Sequence, residues 1–226
     1  MAAAPDSTAG AAISRVTRAD DAEFDALVAI YQASIEHNEQ KPADALARAI
    51  EDPRYRFLIA RRSGAVTGFA ISYAPAPEDI WLLEYMAVAA TQRSSGVGAA
   101  LLNATIDLHR MGARAIGLLE VDAIHGDDGQ RAQQARRLAF YGRHGCRVVE
   151  DLDYILPLPG APPMHLLAHT PASLNAIPKK RLLDWITAIY REVYDKAADD
   201  PRPARMISRL PDPVPLGAID EIVKDA

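Results

Sequence analysis

The chain has 226 residues, 49% of them hydrophobic, enough for one well-filled core, and its length allows a single domain with extensions. Its formal net charge of −5 argues against a domain that grips nucleic acid by its phosphates, since that needs a basic surface. One cysteine, Cys146, excludes an internal disulfide and a thiolate metal cluster, and no apolar stretch approaches the roughly 20 residues needed to cross a bilayer. The start, Met1-Ala2-Ala3-Ala4-Pro5-Asp6, has no basic segment ahead of an apolar run, so no secretory signal is read there and the expected location is cytoplasmic.

Residues 1–11 are small and polar and read as a loose tail. Ala12 to Thr17 alternates as a short strand. Asp20-Asp21-Ala22-Glu23 has the form of a capping box, with Asp20 at the cap and Glu23 three residues on. Behind it Phe24, Leu27, Val28, Tyr31 and Ile35 keep to one helical face. After the polar break Glu36 to Lys41, Pro42 opens a second helix that ends near Glu51. Three strand-like runs follow, Arg56 to Arg61, Val66 to Tyr73 and Ile80 to Val88. The first two are joined by the short turn Ser63-Gly64-Ala65, so the three read as an antiparallel meander.

The spacing of Val97, Ala100, Leu101, Ala104, Leu108 and Met111 predicts a helix over Val97 to Met111. Ala115 to Val121 is apolar enough for a strand buried on both faces. A polar loop, Asp122 to Gly129, leads into a helix from about Gln130 to His144, closed by Gly145 in a left-handed cap. Cys146 to Glu150 and Met164 to Ala168 read as strands across a Pro-rich loop. Pro178 to Ala197 is an amphipathic helix with Leu182, Ile186, Ile189, Tyr190 and Val193 on one stripe. Asp199 to Ala226, with five prolines, reads as an extended tail. Strands and helices are mixed and the meander precedes the alternating part, which is an α+β pattern rather than a doubly wound one.

The most informative segment is Glu84-Tyr85-Met86-Ala87-Val88-Ala89-Ala90-Thr91-Gln92-Arg93-Ser94-Ser95-Gly96-Val97-Gly98-Ala99. It runs from a strand through a polar loop with two glycines into a helix start. Backbone N–H groups there lack helical partners and the dipole end is positive, so an anion is well placed. Gly96 and Gly98 carry no side chain to keep phosphate oxygens away, and Arg93 adds a positive fork. No Lys-Ser/Thr pair follows the second glycine, as a nucleoside-triphosphatase loop requires, and the longer glycine spacing of a dinucleotide fold is absent.

Arg93-x-x-Gly96-x-Gly98 resembles the Q/R-x-x-G-x-G/A signature of the GNAT acyltransferases, and it lies between a strand and a helix as theirs does. Three further segments agree in order. Leu82 to Val88 ends in the small apolar residue expected before the loop. Leu118-Leu119-Glu120-Val121 is similar to the following strand, which often carries a glutamate. Ala139-Phe140-Tyr141-Gly142-Arg143-His144-Gly145-Cys146 resembles the A-x-x-F-Y-x-x-x-G-F segment, with Cys146 in place of Phe. The resemblance covers roughly Ile13 to Ala168.

It implies a GNAT fold, with a mixed, mostly antiparallel, splayed sheet of about seven strands flanked by helices. The domain would span residues 12–168, with a C-terminal helical extension at 169–198 and a Pro-rich tail at 199–226. It also implies acetyl-CoA, or another acyl-CoA, as co-substrate. Met86, Ala87 and Val88 would contact the pantetheine arm and thioester. The amides of Ser94, Ser95, Gly96, Val97, Gly98 and Ala99, with Arg93, would hold the pyrophosphate. Tyr141 is the candidate general acid, because a phenol is protonated at neutral pH. Glu84 and Glu120, carboxylates set in apolar strands, are the candidate general bases.

Glu39 and Tyr154 are the candidate acceptor contacts. Asp122, His125, Asp127 and Asp128 form a short acidic loop that is commoner without a metal than with one, so none is expected. The expected reaction is transfer of acetyl to the primary amine of a small molecule. A protein N-terminal or lysine acetyltransferase and a non-catalytic acyl-CoA-binding module are the alternatives. No nucleic-acid or membrane partner is expected. Tyr190, Val193, Ile207, Leu210 and Val214 would cover the acceptor site, bury surface in a homodimer, or strap the chain's own domain.

Overall fold

Ser63 and Gly64 both adopt positive φ, 51° and 81°, and reverse the chain between β2 (Tyr55–Arg62) and β3 (Ala65–Tyr73). Two consecutive left-handed residues give a turn whose twist matches that of the strands it joins. The structure, a computed structural model, describes residues 10–76, 79–112 and 114–224. The expected tail at 1–11 lies almost wholly outside the described residues.

The chain divides into two compact units. The first comprises residues up to Ser72 together with Tyr85–Leu108. It holds β1 (Ala12–Val16), α1 (Ala22–Ser34), a 3-10 turn at His37–Glu39, α2 (Ala43–Ala49), β2, nearly all of β3, the end of β4 (Ile80–Val88), and α3 (Val97–Met111) as far as Leu108. β1 pairs antiparallel with β2, from Ala12↔Arg61 to Val16↔Phe57. Phe24, Leu27, Tyr31, Phe57, Phe69, Val97 and Leu101 are buried, which is the core the helical and strand periodicities predict.

The expected capping box at Asp20 does not form. Asp21 occupies the cap of α1 and makes no side-chain cap hydrogen bond. Both carboxylates of the motif are engaged elsewhere, Asp20 with Arg18 at 2.5 Å and Glu23 with Arg61 of β2. A guanidinium offers a carboxylate a charge-assisted partner that outcompetes a neutral backbone N–H.

The second unit comprises Tyr73–Glu84 and the chain from His109 onward. It holds the start of β4, then β5 (Ile116–Asp122), α4 (Asp128–Arg143), β6 (Cys146–Val149), β7 (Met164–His169), β8 (Ala176–Ile177), α5 (Lys179–Glu192), α6 (Pro201–Ile207), β9 (Val214–Gly217) and α7 (Ile219–Lys224). α4 begins with a reciprocal capping box that the sequence reading missed. Asp127 Oδ1 accepts from Gln130 N at 2.9 Å, and Asp127 N donates to Gln130 Oε1 at 3.0 Å. Its far end closes at Gly145 with φ 80°, in the left-handed conformation expected there.

The strand order is β1-β2-β3-β4-β5-β7-β6-β9-β8. β4 and β5 are parallel, while β5·β7, β6·β7, β6·β9 and β8·β9 are antiparallel. The sheet is mixed and mostly antiparallel, as expected, but it has nine described strands rather than about seven. The extra strands come from the C-terminal part of the chain. Residues after Asp199 are not an extended tail. They form α6, β9 and α7, and β9 pairs with β6 through Val148↔Gly217 and Val149↔Leu216. Proline content misleads here because a proline interrupts structure only where its missing N–H is needed. Pro201 is at the first turn of α6, and Pro215 serves the sheet through its carbonyl, which accepts from Glu150 N at 3.1 Å. Val214, Ile207 and Ile219 are buried. Among the described residues, no helix is long and apolar enough to cross a membrane.

Candidate active site

In the second unit the parallel pairing of β4 with β5 runs from Ile80↔Ile116 to Leu83↔Leu119. β4 itself continues to Val88, and Met86, Ala87 and Val88 on that continuation are half-buried. In the first unit Ala89 N donates to Thr67 O at 2.9 Å, and a 3-10 turn at Ala90–Gln92 follows. Arg93 is extended and exposed. Ser94 has φ 62° and Gly96 has φ 84°, flanking Ser95, before α3 begins at Val97.

Left-handed backbone at Ser94 and Gly96 turns the chain on both sides of Ser95 just ahead of the helix start at Val97, and unpartnered main-chain N–H groups at a helix start favour an anion. Ser95 Oγ donates to Gln92 O at 2.5 Å and ties the turn back on itself. A Cβ built on Gly96 would meet nothing within 4 Å, so backbone conformation, and not crowding, asks for glycine there. The left-handed Ser94, a residue without glycine's freedom, costs about 1–2 kcal/mol.

Glu39, also in the first unit, lies at the end of the His37–Glu39 turn. Its backbone carbonyl accepts from the Tyr85 hydroxyl at 3.0 Å, and the Tyr85 ring meets Tyr31 edge-on at 5.0 Å. Its side chain is half-buried.

The second unit brings together residues far apart in sequence. Glu120, near the end of β5, accepts a hydrogen bond on each carboxylate oxygen. Tyr154 donates to Oε1, and Tyr194 donates to Oε2 at 2.5 Å. Burial pushes the ionisation of both phenols well above its usual position, and the Glu120 charge pushes it further, so both are standing donors. Tyr190, one turn before Tyr194, donates to the Ile155 carbonyl and touches the Tyr194 ring edge-on at 6.5 Å. Glu84, the last residue of β4 in this unit, has both carboxylate oxygens buried, and its charge also acts on Tyr194.

Tyr141 lies in the last turn of α4 and is 7% exposed. Burial raises its pKa to about 12, with Cys146 and Asp122 adding to the effect and Arg137 opposing it. It is therefore a protonated donor throughout the neutral range. The Asp122–Gly129 loop is committed to structure. Asp122 pairs with Arg137 at 2.7 Å, Asp127 caps α4, and His125 Nδ1 lies 2.8 Å from Ala123 O and 3.1 Å from Gln134 Nε2.

Of the expected site residues, Met86 to Ala99 all lie in the first unit, and Glu84, Glu120, Tyr141 and Tyr154 all lie in the second. Glu120 and Tyr154 meet, although Tyr154 was expected as a direct acceptor contact and its hydroxyl is on Glu120. Tyr194 was missed. It follows Val193, the last residue of the expected stripe, and lies just past the end of α5, where helical spacing no longer sets a side chain's place.

The model of the GNAT acetyltransferase family matches residues 24–145. A GNAT-family acetyltransferase structure from Bacteroides thetaiotaomicron is 19% identical, covers 82% of this chain and 99% of its own, and superposes with TM-score 0.66. An aminoglycoside 6'-N-acetyltransferase complexed with coenzyme A is 16% identical over 70% of this chain and 95% of its own, with TM-score 0.55. A ribosomal-protein-alanine N-acetyltransferase from Brucella melitensis is 21% identical over 71% and 99%, with TM-score 0.56. At these identities the likeness is one of fold. No curated protein matches the chain by sequence.

Proposed function

This chain belongs to the GNAT family of acetyltransferases, and we propose from that premise that it transfers acetyl from acetyl-CoA to the primary amine of a small molecule by direct attack. The observation that carries the reading is the turn around Ser95, with left-handed residues at 94 and 96 and a helix start at Val97. It fits a diphosphate, because bare main-chain donors and the Arg93 fork are what such an anion requires.

The co-substrate supplies an activated acyl thioester; the chain supplies position and protons. Ser94 to Ala99 and Arg93 bind the diphosphate. Met86, Ala87 and Val88 line the pantetheine arm, and a backbone N–H near Met86 stabilises the developing oxyanion. The amine nitrogen forms the new C–N bond as the C–S bond breaks. The amine's proton goes to a carboxylate and the leaving sulfur takes the Tyr141 proton, after which solvent returns both groups to their starting state. Glu84 and Glu120 are the two carboxylates for this task. Two phenolic hydrogen bonds hold Glu120 in one orientation, and proton transfer depends on such geometry before anything else. We therefore assign the proton to Glu120.

Coenzyme A titrated calorimetrically into wild-type protein, Arg93→Ala and Gly96→Val tests the cradle. Affinity at least about tenfold weaker in both variants is expected; wild-type affinity in both would sink the assignment. A thiol-release screen with acetyl-CoA across small amines, aminoglycosides and peptides then identifies the acceptor class, and fastest release with a peptide would turn the acceptor from small molecule to protein.

A further inference from the structure

We propose that Tyr194, which lies outside the family-matched residues 24–145, is a positioning residue for the acetyl transfer and acts by holding the Glu120 carboxylate. The inference rests on the reading of Glu120 as the group that takes the amine's proton. A glutamate side chain has three rotatable bonds, and fixing it in one orientation costs conformational entropy. One hydrogen bond leaves the carboxylate free to swing about its contact. Two donors on opposite oxygens remove that freedom, and here they come from separate parts of the chain, 34 and 74 residues away.

Both donors are themselves anchored. Tyr154 is bridged to Met164, and the next residue, Ile155, is held through both its backbone N–H and its carbonyl. Its carbonyl accepts from Tyr190, and its N–H points at Met206 Sδ, 3.1 Å away in α6. Tyr194 lies just past the end of α5, where Val193 N donates to Ile189 O at 2.9 Å and Lys196 N donates to Tyr190 O at 3.0 Å. Asp195, with φ 51°, turns the chain away immediately after it. The end of α5 thus fixes where the Tyr194 ring emerges. Both phenols stay protonated far above neutral pH, so neither competes with Glu120 for the proton. The C-terminal extension is in this way part of the catalytic apparatus.

Tyr194→Phe keeps the ring and removes the hydroxyl. Three quantities are measured on the full chain: coenzyme A affinity by calorimetry, the thermal midpoint, and the pH profile of kcat with the fastest amine from the thiol-release screen. Loss of one donor weakens the hold on the charged carboxylate, so the acidic limb should move upward by about one pH unit and kcat should fall about tenfold. Coenzyme A affinity should stay within about twofold, since the cradle residues are elsewhere.

In a Glu120→Gln background, Tyr194→Phe should cause no further shift. The carbon-13 carboxyl resonance of Glu120, assigned by its loss in Glu120→Gln, should titrate at higher pH in Tyr194→Phe with no acceptor present. If Tyr194→Phe does not fold, Tyr154→Phe removes the other donor and carries the same expectation. An unmoved limb and an unmoved resonance would overturn the inference, as would a loss of kcat that only tracks the thermal midpoint. Failure of wild-type protein to bind coenzyme A would instead strike the acetyltransferase reading itself.

Discussion

Gly68 on β3 lies so close to Ala87 on β4 that a Cβ on Gly68 would stand 2.8 Å from the Ala87 carbonyl oxygen. Behind it are Leu101 and Val97 of α3, at 3.1 and 3.2 Å. A backbone oxygen cannot rotate aside as a side chain can, so any residue larger than glycine must push β4 outward or lift α3. Gly68→Ala should therefore destabilise the protein by about 1–3 kcal/mol, read as a lower urea midpoint. Because Ala87 and Val97 bracket the proposed cradle, coenzyme A affinity should fall as well. A neutral effect on both would mean that the strand yields without cost.

Tyr141→Phe tests the proposed acid step. The phenol is buried and its pKa is raised to about 12, so it stays protonated at every pH at which the enzyme is expected to work. Its loss should lower kcat by about 10²-fold or more, with coenzyme A affinity nearly intact. Up to about pH 10, no alkaline loss of activity should trace to Tyr141. A wild-type kcat in the variant would remove Tyr141 from the mechanism.

Alkali should unfold the protein through its buried tyrosines. In the folded state Tyr141, Tyr154, Tyr190 and Tyr194 hold their protons above the usual phenol value of 10.0, burial being the largest cause in each. Between pH 10 and the folded values, the native state binds more protons than the unfolded chain, so stability falls as pH rises. It is fully present below pH 10 and lost above it. For Tyr141 alone, with a folded value of about 12, the loss approaches about 2–3 kcal/mol. Urea midpoints measured across this range, alongside tyrosinate absorbance, check the sign; a midpoint flat from pH 9 to about 12 contradicts it.

Cys146 should be inert in the native protein. It is buried, and burial raises its thiol to about 12, leaving almost no thiolate at neutral pH. A disulfide reagent should react with it only after denaturation, on the timescale of unfolding. Rapid native-state labelling would show that β6 opens locally.

Much of the fold was legible residue by residue. The α3 boundaries, Val97–Met111, match the apolar spacing, and β4 spans Ile80–Val88 as its strand pattern predicts. Ser63-Gly64 and Gly145 stand at the positions where a turn and a helix end need positive φ. These features are local, since each depends on side-chain periodicity or on the conformational freedom of one residue. The reading of the C-terminal part failed for a related reason. Five prolines predict an extended tail there, whereas the effect of a proline depends on whether its position needs an N–H, and that is decided by pairing with β6.

The sequence by itself determined that a strand, a glycine-bearing turn and a helix would follow one another between Glu84 and Met111, because neighbouring residues set that conformation. Tertiary structure alone decided that Glu120 would be held between Tyr154 and Tyr194. The register of β5 with β7, the bridge from Tyr154 to Met164 and the point where α5 ends together bring those groups within hydrogen-bond reach. No local pattern encodes such a meeting, since each partner's place is set by packing against elements distant in the chain.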